Sequence, residues 1–308
     1  MKKKLYIFFL LTIVSGIVMA QGRRMPLADV PVSPYALGVG NAAKGHVPGS
    51  YVYGSKAAIL YTDNKASEAE YAFGLVDNAT ERYMLHTVSG AHHFGHNAIM
   101  GGLRYYSMGS IDRMVDVNLQ PVGGKKRFYT YSADLGYARA LDSHWGVYAT
   151  LNVATEKIIS TMNAYGMELG GSFAGRVKTV DYMLGLSVSR LGAYAYNGKS
   201  GLLSPLVSGG GSVSVPFSSL HRVSILVDGG VYIPVKEAKT AATFGGGIDY
   251  TLHDTYSLRV GGHTGEDDNY LSAGIGVRVG RFTLDVAAKL ALEQGLANMY
   301  MAGLRVNW

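Results

Sequence analysis

The chain of 308 residues contains no cysteine. Disulfide stapling is thereby excluded, together with any thiolate metal or thiol redox site. Proline is scarce, with eight residues against 41 glycines and 22 tyrosines. That balance suits turns, tight strand packing and the aromatic belts of a membrane interface. Strong charge is missing too: the formal net charge is +6, half of it from Lys2, Lys3 and Lys4, and what the rest of the chain carries is short of the basic footprint that a nucleic-acid partner leaves. Beyond the first 20 residues no apolar run approaches the roughly 20 residues of a spanning helix. A membrane location would therefore need strands.

The amino terminus has the three-part layout of a secretory signal peptide. Lys2, Lys3 and Lys4 precede an apolar run from Leu5 to Val14, followed by Ser15, Gly16 and a Val18-Met19-Ala20 site. Cleavage is expected between Ala20 and Gln21. An uncleaved anchor is the weaker reading, because the run is too short to span. Removing this segment takes three lysines off the formal charge and leaves the mature chain nearer neutrality.

From about Ala69 onward the chain breaks into segments of about ten residues with period-two alternation, bounded by Gly, Asn, Asp and Ser. Tyr131, Ala133, Leu135 and Tyr137 share one face of such a segment, opposite Ser132, Asp134, Gly136 and Ala138. Leu271, Ala273, Ile275, Val277 and Val279 do the same, as do Phe282, Leu284, Val286, Ala288 and Leu290. Fourteen segments result, starting near residues 69, 82, 96, 128, 144, 163, 179, 211, 222, 241, 255, 270, 281 and 298. Connections near 142–143, 175–178, 218–221, 253–254 and 280 are short; those at 108–127, 156–162, 192–210, 234–240 and 293–297 are longer. Short and long alternate as the periplasmic turns and outer loops of an outer-membrane barrel do.

The carboxyl terminus fits the same scheme. Tyr300, Ala302, Leu304, Val306 and Trp308 form an apolar face that runs to the last residue, as a strand that closes a barrel in lipid requires. Gly303, Val306 and Trp308 resemble the terminal signal recognised by the barrel-assembly machinery. The expectation is an all-β, transmembrane antiparallel barrel of about 14 strands over residues 69–308, preceded by a signal peptide, 1–20, and an N-terminal hatch or plug segment, 21–68. A soluble sandwich would want large aliphatics on both packed sheets, whereas these faces mix Ala, Gly, Tyr and Trp.

Candidate chemistry is sparse. His92, His93 and His96 are the densest group of metal ligands, but neighbouring strand residues point to opposite faces, so no metal site is expected. Gly49 to Lys56 lacks the Gly-Lys-Ser/Thr order of a phosphate loop, and Gly38 and Gly40 are half a dinucleotide fingerprint. Gly265 to Asn269 reads as a solvated acidic turn rather than a calcium site. Asp134, Asp249, Asp285, Lys289 and Arg305 fall on lumen-facing positions and are of both signs, which suits a plugged interior better than an ion-selective pore. Lys125, Lys126 and Arg127 end the loop from Met108, at the level of anionic lipid or lipopolysaccharide headgroups, and are candidates for docking. Neither a cofactor nor an enzymatic constellation can be placed.

Several stretches resemble the PorV/PorQ family of Bacteroidetes outer-membrane proteins, relatives of the FadL-type 14-stranded barrels. Ser33 to Ala42 is similar to the family's opening glycine-rich element, Leu103 to Asp112 to its Tyr-Gly hairpin, Tyr131 to Arg139 to the next strand, and Ser257 to Gly262 with Leu271 to Arg278 to the closing strands. The chain is somewhat more PorQ-like. Where the family carries an Asn-Pro-Ala element, Tyr53-Gly54-Ser55-Lys56-Ala57 stands here, which argues against a family-style hatch and a FadL-like ligand path. The resemblance implies a non-enzymatic anchor or docking component of type IX secretion or surface attachment, working through loops 108–127 and 192–210. Passive transport of hydrophobic or small solutes is the alternative.

Overall fold

A computed structural model of the chain describes residues 30–45, 51–54, 56–62, 66–78, 81–111, 126–158, 160–235, 240–266, 268–293 and 296–308. The signal segment with its Ala20–Gln21 boundary, and Lys125, lie outside the described residues.

A short helix α1 (Pro34–Gly38) and a 3-10 turn (Ala58–Tyr61) come first. The strands are β1 (Ser67–Asn78), β2 (Glu81–Phe94), β3 (Asn97–Ile111), β4 (Lys126–Ala140), β5 (Trp145–Lys157), β6 (Thr161–Val177), β7 (Val180–Tyr196), β8 (Lys199–Leu202), β9 (Leu206–Pro216), β10 (His221–Tyr232), β11 (Ala241–Leu252), β12 (Tyr256–Thr264), β13 (Tyr270–Val279), β14 (Phe282–Ala291) and β15 (Asn298–Asn307). Every neighbouring pair is antiparallel, and β1 pairs with β15 from Glu68↔Asn307 to Asp77↔Asn298, so the sheet closes on itself. Fourteen strands form the wall, and β8 is an extra strand beside β7 alone. Closure also ties down the last residue: the Trp308 N–H donates to the Ser67 carbonyl (3.0 Å) and the Ser67 N–H to the Trp308 carbonyl (2.8 Å).

The alternation sorts residues by face. Leu135, Leu186 and Leu284 point outward and are 65%, 71% and 60% exposed, which places an apolar surface where lipid belongs. Inward positions carry Ser132, Arg259, Asp285 and Arg305, all buried. The core of the molecule is thus the lumen, filled by residues 30–45, 51–54 and 56–62 and the polar face of the wall.

Glycines on the inner wall let the plug's backbone touch the strands' backbone. A Cβ on Gly261 would lie 2.3 Å from the Gly40 nitrogen, and one on Gly247 2.6 Å from the Val39 Cα. Gly40 itself takes φ +67, where a side chain would be strained. The glycine runs 209–211 and 245–247 therefore mark close packing, and both sit in uninterrupted register. Register shifts occur instead at Ser107/Ser110 in β3 against β4 and at Met167/Leu169 in β6 against β7.

The sequence reading of 192–210 as a free outer loop needs correction. β7 continues to Tyr196, β8 follows and β9 starts at Leu206. Gly209 and Gly210, within that range, belong to β9; a Cβ on Gly210 would lie 2.0 Å from Asp228 Oδ1, so the glycine leaves room for that carboxylate. Similarly, Lys126 and Arg127 belong to β4 rather than to the loop before it.

Candidate functional site

The plug is fastened to the wall by three polar groupings, each built from inward strand positions. In the first, Glu168 of β6 meets both plug lysines: Lys56 Nζ lies 2.8 Å from Oε2 and Lys44 Nζ 3.2 Å from Oε1. Tyr148 donates its hydroxyl to Oε1 (2.9 Å), and Lys44 Nζ donates also to Ser187 Oγ (2.8 Å). Glu168 sits at the mid-wall register shift, opposite a bulge in β7 where Arg190 takes φ +58. The bulge breaks the regular ladder where the plug lysines attach. Burial lowers the Lys56 ammonium below the ordinary lysine range, although Glu168 works against this. Burial is the largest effect on Lys44 too and acts to lower it, but Glu168, Tyr148 and Asp228 together outweigh it and raise that group. Below the same grouping, Asp228 Oδ2 accepts the backbone N–H groups of Ala43 (2.6 Å) and Lys44 (2.8 Å).

The second grouping lies under α1. Tyr35 donates its hydroxyl to Asp249 Oδ2 (2.8 Å), and its ring lies 4.1 Å from the Arg259 guanidinium carbon. Arg259 Nη1 bonds Asp285 Oδ1 at 2.5 Å and its Nε lies 3.4 Å from Asp249 Oδ1. Arg305 adds longer pairs, 3.8 Å each, to Asp285 and Glu68. Here the tyrosine is pushed well above its usual range, first by burial and then by the neighbouring Asp249 charge. In the third, Arg104 stacks on Tyr53 (4.6 Å), donates to Ser132 Oγ (2.9 Å) and approaches Asp134, which accepts from Asn152 Nδ2 (2.7 Å).

Asp249, Asp285 and Arg305 are thus brought together, while Asp134 lies in a separate network and Lys289 pairs with Asp268 (2.5 Å) at the long-loop end. Asp268 belongs to the Gly265–Asn269 turn, where Asn269 Oδ1 accepts from Thr264 Oγ1 (2.7 Å) and the Gly265 N–H (3.1 Å). The histidines stay apart: His92 is exposed beside Ser67 Oγ (2.8 Å), and His93 is buried against the Gly95 carbonyl (3.0 Å). Among the described residues no group of three or more His, Cys, Asp or Glu side chains could hold a metal ion. Arg127 is exposed at the outer end of β4, and Gly303 and Val306 lie in β15 with Gly303 packed against Pro34.

Sequence reasoning missed Glu168, Lys44, Asp228, Arg104 and Arg259. For the four wall residues the signal was available, a charge on the inward register of a strand. For Lys44 none was, because its carboxylate partner is 124 residues away.

The plug divides the lumen. On the long-loop side lies a cavity of about 240 Å³. Its apolar lining includes Val30, Val52, Met167, Leu203, Leu206 and Tyr232, beside Arg104, Glu168 and Asp228. On the short-turn side lies one of about 450 Å³ with a polar lining, roofed in part by Tyr35 and Tyr61.

No family model and no curated protein matches the chain. Solved structures do match. The CymD monoaromatic hydrocarbon channel is similar with a TM-score of 0.60 at 10% identity, over 90% of this chain and 97% of that one. The toluene transporter TbuX of Ralstonia pickettii gives 0.56 at 11% over 89% and 97%, and a FadL homologue of Pseudomonas aeruginosa 0.55 at 10% over 91% and 98%. At these identities the likeness concerns the fold, and it gives no support to the PorV/PorQ branch or to type IX secretion. The chain has the closed, 14-stranded antiparallel β-barrel architecture of FadL-like outer-membrane proteins.

Proposed function

We propose that the chain is a passive outer-membrane channel for a small, largely apolar solute, closed at rest by the plug formed by residues 30–45, 51–54 and 56–62. The observation that carries this reading is the divided lumen: a cavity with an apolar side on the long-loop end and a second one beyond a partition held by polar, exchangeable contacts. A purely structural anchor needs neither cavity. The solved neighbours include proteins described as hydrocarbon channels and toluene transporters, which supports a non-enzymatic transport role. Short turns and both ends of the wall would face the periplasm. Solute would enter past Leu203 and Tyr232, reach the plug near Lys44 and Lys56, and pass when the contacts to Glu168 exchange. Cells expressing the protein should take up a small aromatic solute faster than cells without it, provided their lipopolysaccharide leaflet is intact. Equal uptake would refute the channel.

A second reading keeps the docking role. β8 pairs only with β7 among the described residues, so its outer edge can accept an extended segment of a secretion or surface-attachment partner by strand addition. Affinity capture from native outer membranes, repeated after residues 199–202 are replaced by a Gly-Ser turn, tests it. A partner retained equally well by both forms would refute docking at this edge.

A further inference from the structure

The short-turn cavity, on the other side of the plug, has a chemistry that the channel reading does not use. Strands β9 to β12 and β14 present hydroxyls into it. Ser214 of β9 pairs in register with Ser224 of β10, and their hydroxyls lie 2.7 Å apart. Thr251 of β11 pairs with Ser257 of β12. Thr283 of β14 stands opposite Arg278 of β13. All of these line the same cavity.

Arginines stand among the hydroxyls. Arg222 is opposite Thr251 in register and shares its charge with Asp254 at 3.3 Å. Arg176, across the cavity on β6, is bound to Asp181 at 2.5 Å. Arg278 has no ion-pair partner among the described residues. Arg222 and Arg278 are three strands apart, roughly 14 Å along the wall at ~4.8 Å per strand. Both side chains line the cavity, so a molecule of single-sugar size held there lies between them. At the floor, Arg259 and Arg305 are buried and already engaged with Asp249, Asp285 and Glu68, so they are not free donors to a ligand.

We infer that this cavity is a binding site for a small hydroxylated anion, a monosaccharide bearing a phosphate or carboxylate. Guanidinium forks fit those two anions geometrically. Ser and Thr hydroxyls both donate and accept, which matches sugar hydroxyls. At about 450 Å³ the cavity is large enough for one such molecule and for ordered water around it. Asp254 and Asp181 limit the choice from the other side: they leave Arg278 as the uncommitted cation and disfavour ligands with several closely spaced charges. The site does not depend on the channel reading.

The test is calorimetric titration of the purified full-length barrel in detergent with glucose 6-phosphate, glucuronate, glucose and inorganic phosphate. The two anionic sugars should bind, glucose should bind about tenfold or more weakly, and Arg278→Gln should weaken the anionic sugars by about tenfold. Arg278 is exposed near the end of β13, so the variant barrel folds; unchanged heat-modified mobility in gels verifies this. Glucose binding as tightly as its phosphate, inorganic phosphate binding as tightly as the sugar phosphate, or an Arg278→Gln variant of unchanged affinity would each overturn the site. Binding without solute uptake refutes only the channel, and uptake without binding refutes only this site.

Discussion

Replacing Glu168 by alanine should unseat the plug while leaving the barrel intact. The carboxylate is the shared partner of Lys44 and Lys56 at 3.2 and 2.8 Å, and it also accepts the Tyr148 hydroxyl. Removing one member of a buried ion pair costs about 3–5 kcal/mol, because the other charge stays behind in a poor solvent. Two features place this case at the lower end. Lys44 keeps Ser187, and Lys56, whose ammonium is already lowered by burial, can shed its proton. A loss of about 3 kcal/mol corresponds to a displaced-to-seated ratio about a hundredfold higher, at 1.4 kcal/mol per factor of ten. β6 keeps its ladder to β5 throughout, so the cost falls on the plug. Planar-bilayer recording should show the open level occupied far more often in Glu168→Ala than in the wild type. Substituting Glu168, Lys44 and Lys56 together by methionine should restore closure, since an apolar set of similar volume often matches a buried charge network. An unchanged open fraction in Glu168→Ala, with the plug equally resistant to protease, would refute the reasoning.

Other consequences follow from the same contacts. Gly261→Val places a branched side chain where even a Cβ would lie 2.3 Å from Gly40, so it should displace the plug and raise conductance with the barrel still folded. Arg259→Met removes the nearest cation of both Asp249 and Asp285, leaving Tyr35 to the one and the longer Arg305 pair to the other, and should lower stability by about 3 kcal/mol, read from denaturant unfolding in micelles. Asp142, in the exposed β4–β5 turn, accepts N–H bonds from His144 and Trp145 at 2.7 Å each, and these hold its carboxyl below the ordinary carboxylate range. A lowered folded-state value contributes stability above the ordinary carboxylate range and loses it as pH falls through the lowered value. Asp142→Asn keeps an acceptor without titrating, so the acid-induced loosening of this turn, followed by hydrogen exchange, should be smaller in the variant.

Much of the barrel was legible because two physical regularities act on every residue of the wall. Lipid outside and a polar interior impose the period of two seen in Tyr131–Ala138 and Leu271–Val279, and the closing strand must hydrogen-bond along both edges, which explains an apolar face carried to Trp308. Boundaries slipped where glycine had a second use. Gly209 and Gly210 fell in the loop read over 192–210, yet they belong to a strand that must admit Asp228 and the plug. Missing Asn and Pro near Tyr53 argued only against a family-style hatch, and the plug relies on other devices: Gly40 in a left-handed turn, Tyr53 stacked on Arg104 and two lysines on one glutamate. Contacts over such sequence separations leave no local pattern. The inward charges Asp249, Asp285 and Arg305 were identifiable by register; that Arg259 would join them required knowing how β11, β12 and β14 curve around α1.

The most direct test of the account is uptake of a labelled monoaromatic solute by outer-membrane vesicles with a native lipopolysaccharide leaflet, compared between the wild type, Glu168→Ala and vesicles lacking the protein. The account predicts uptake above the protein-free rate for the wild type and a further increase for Glu168→Ala. Rates equal in all three, with both barrels folded, would contradict it.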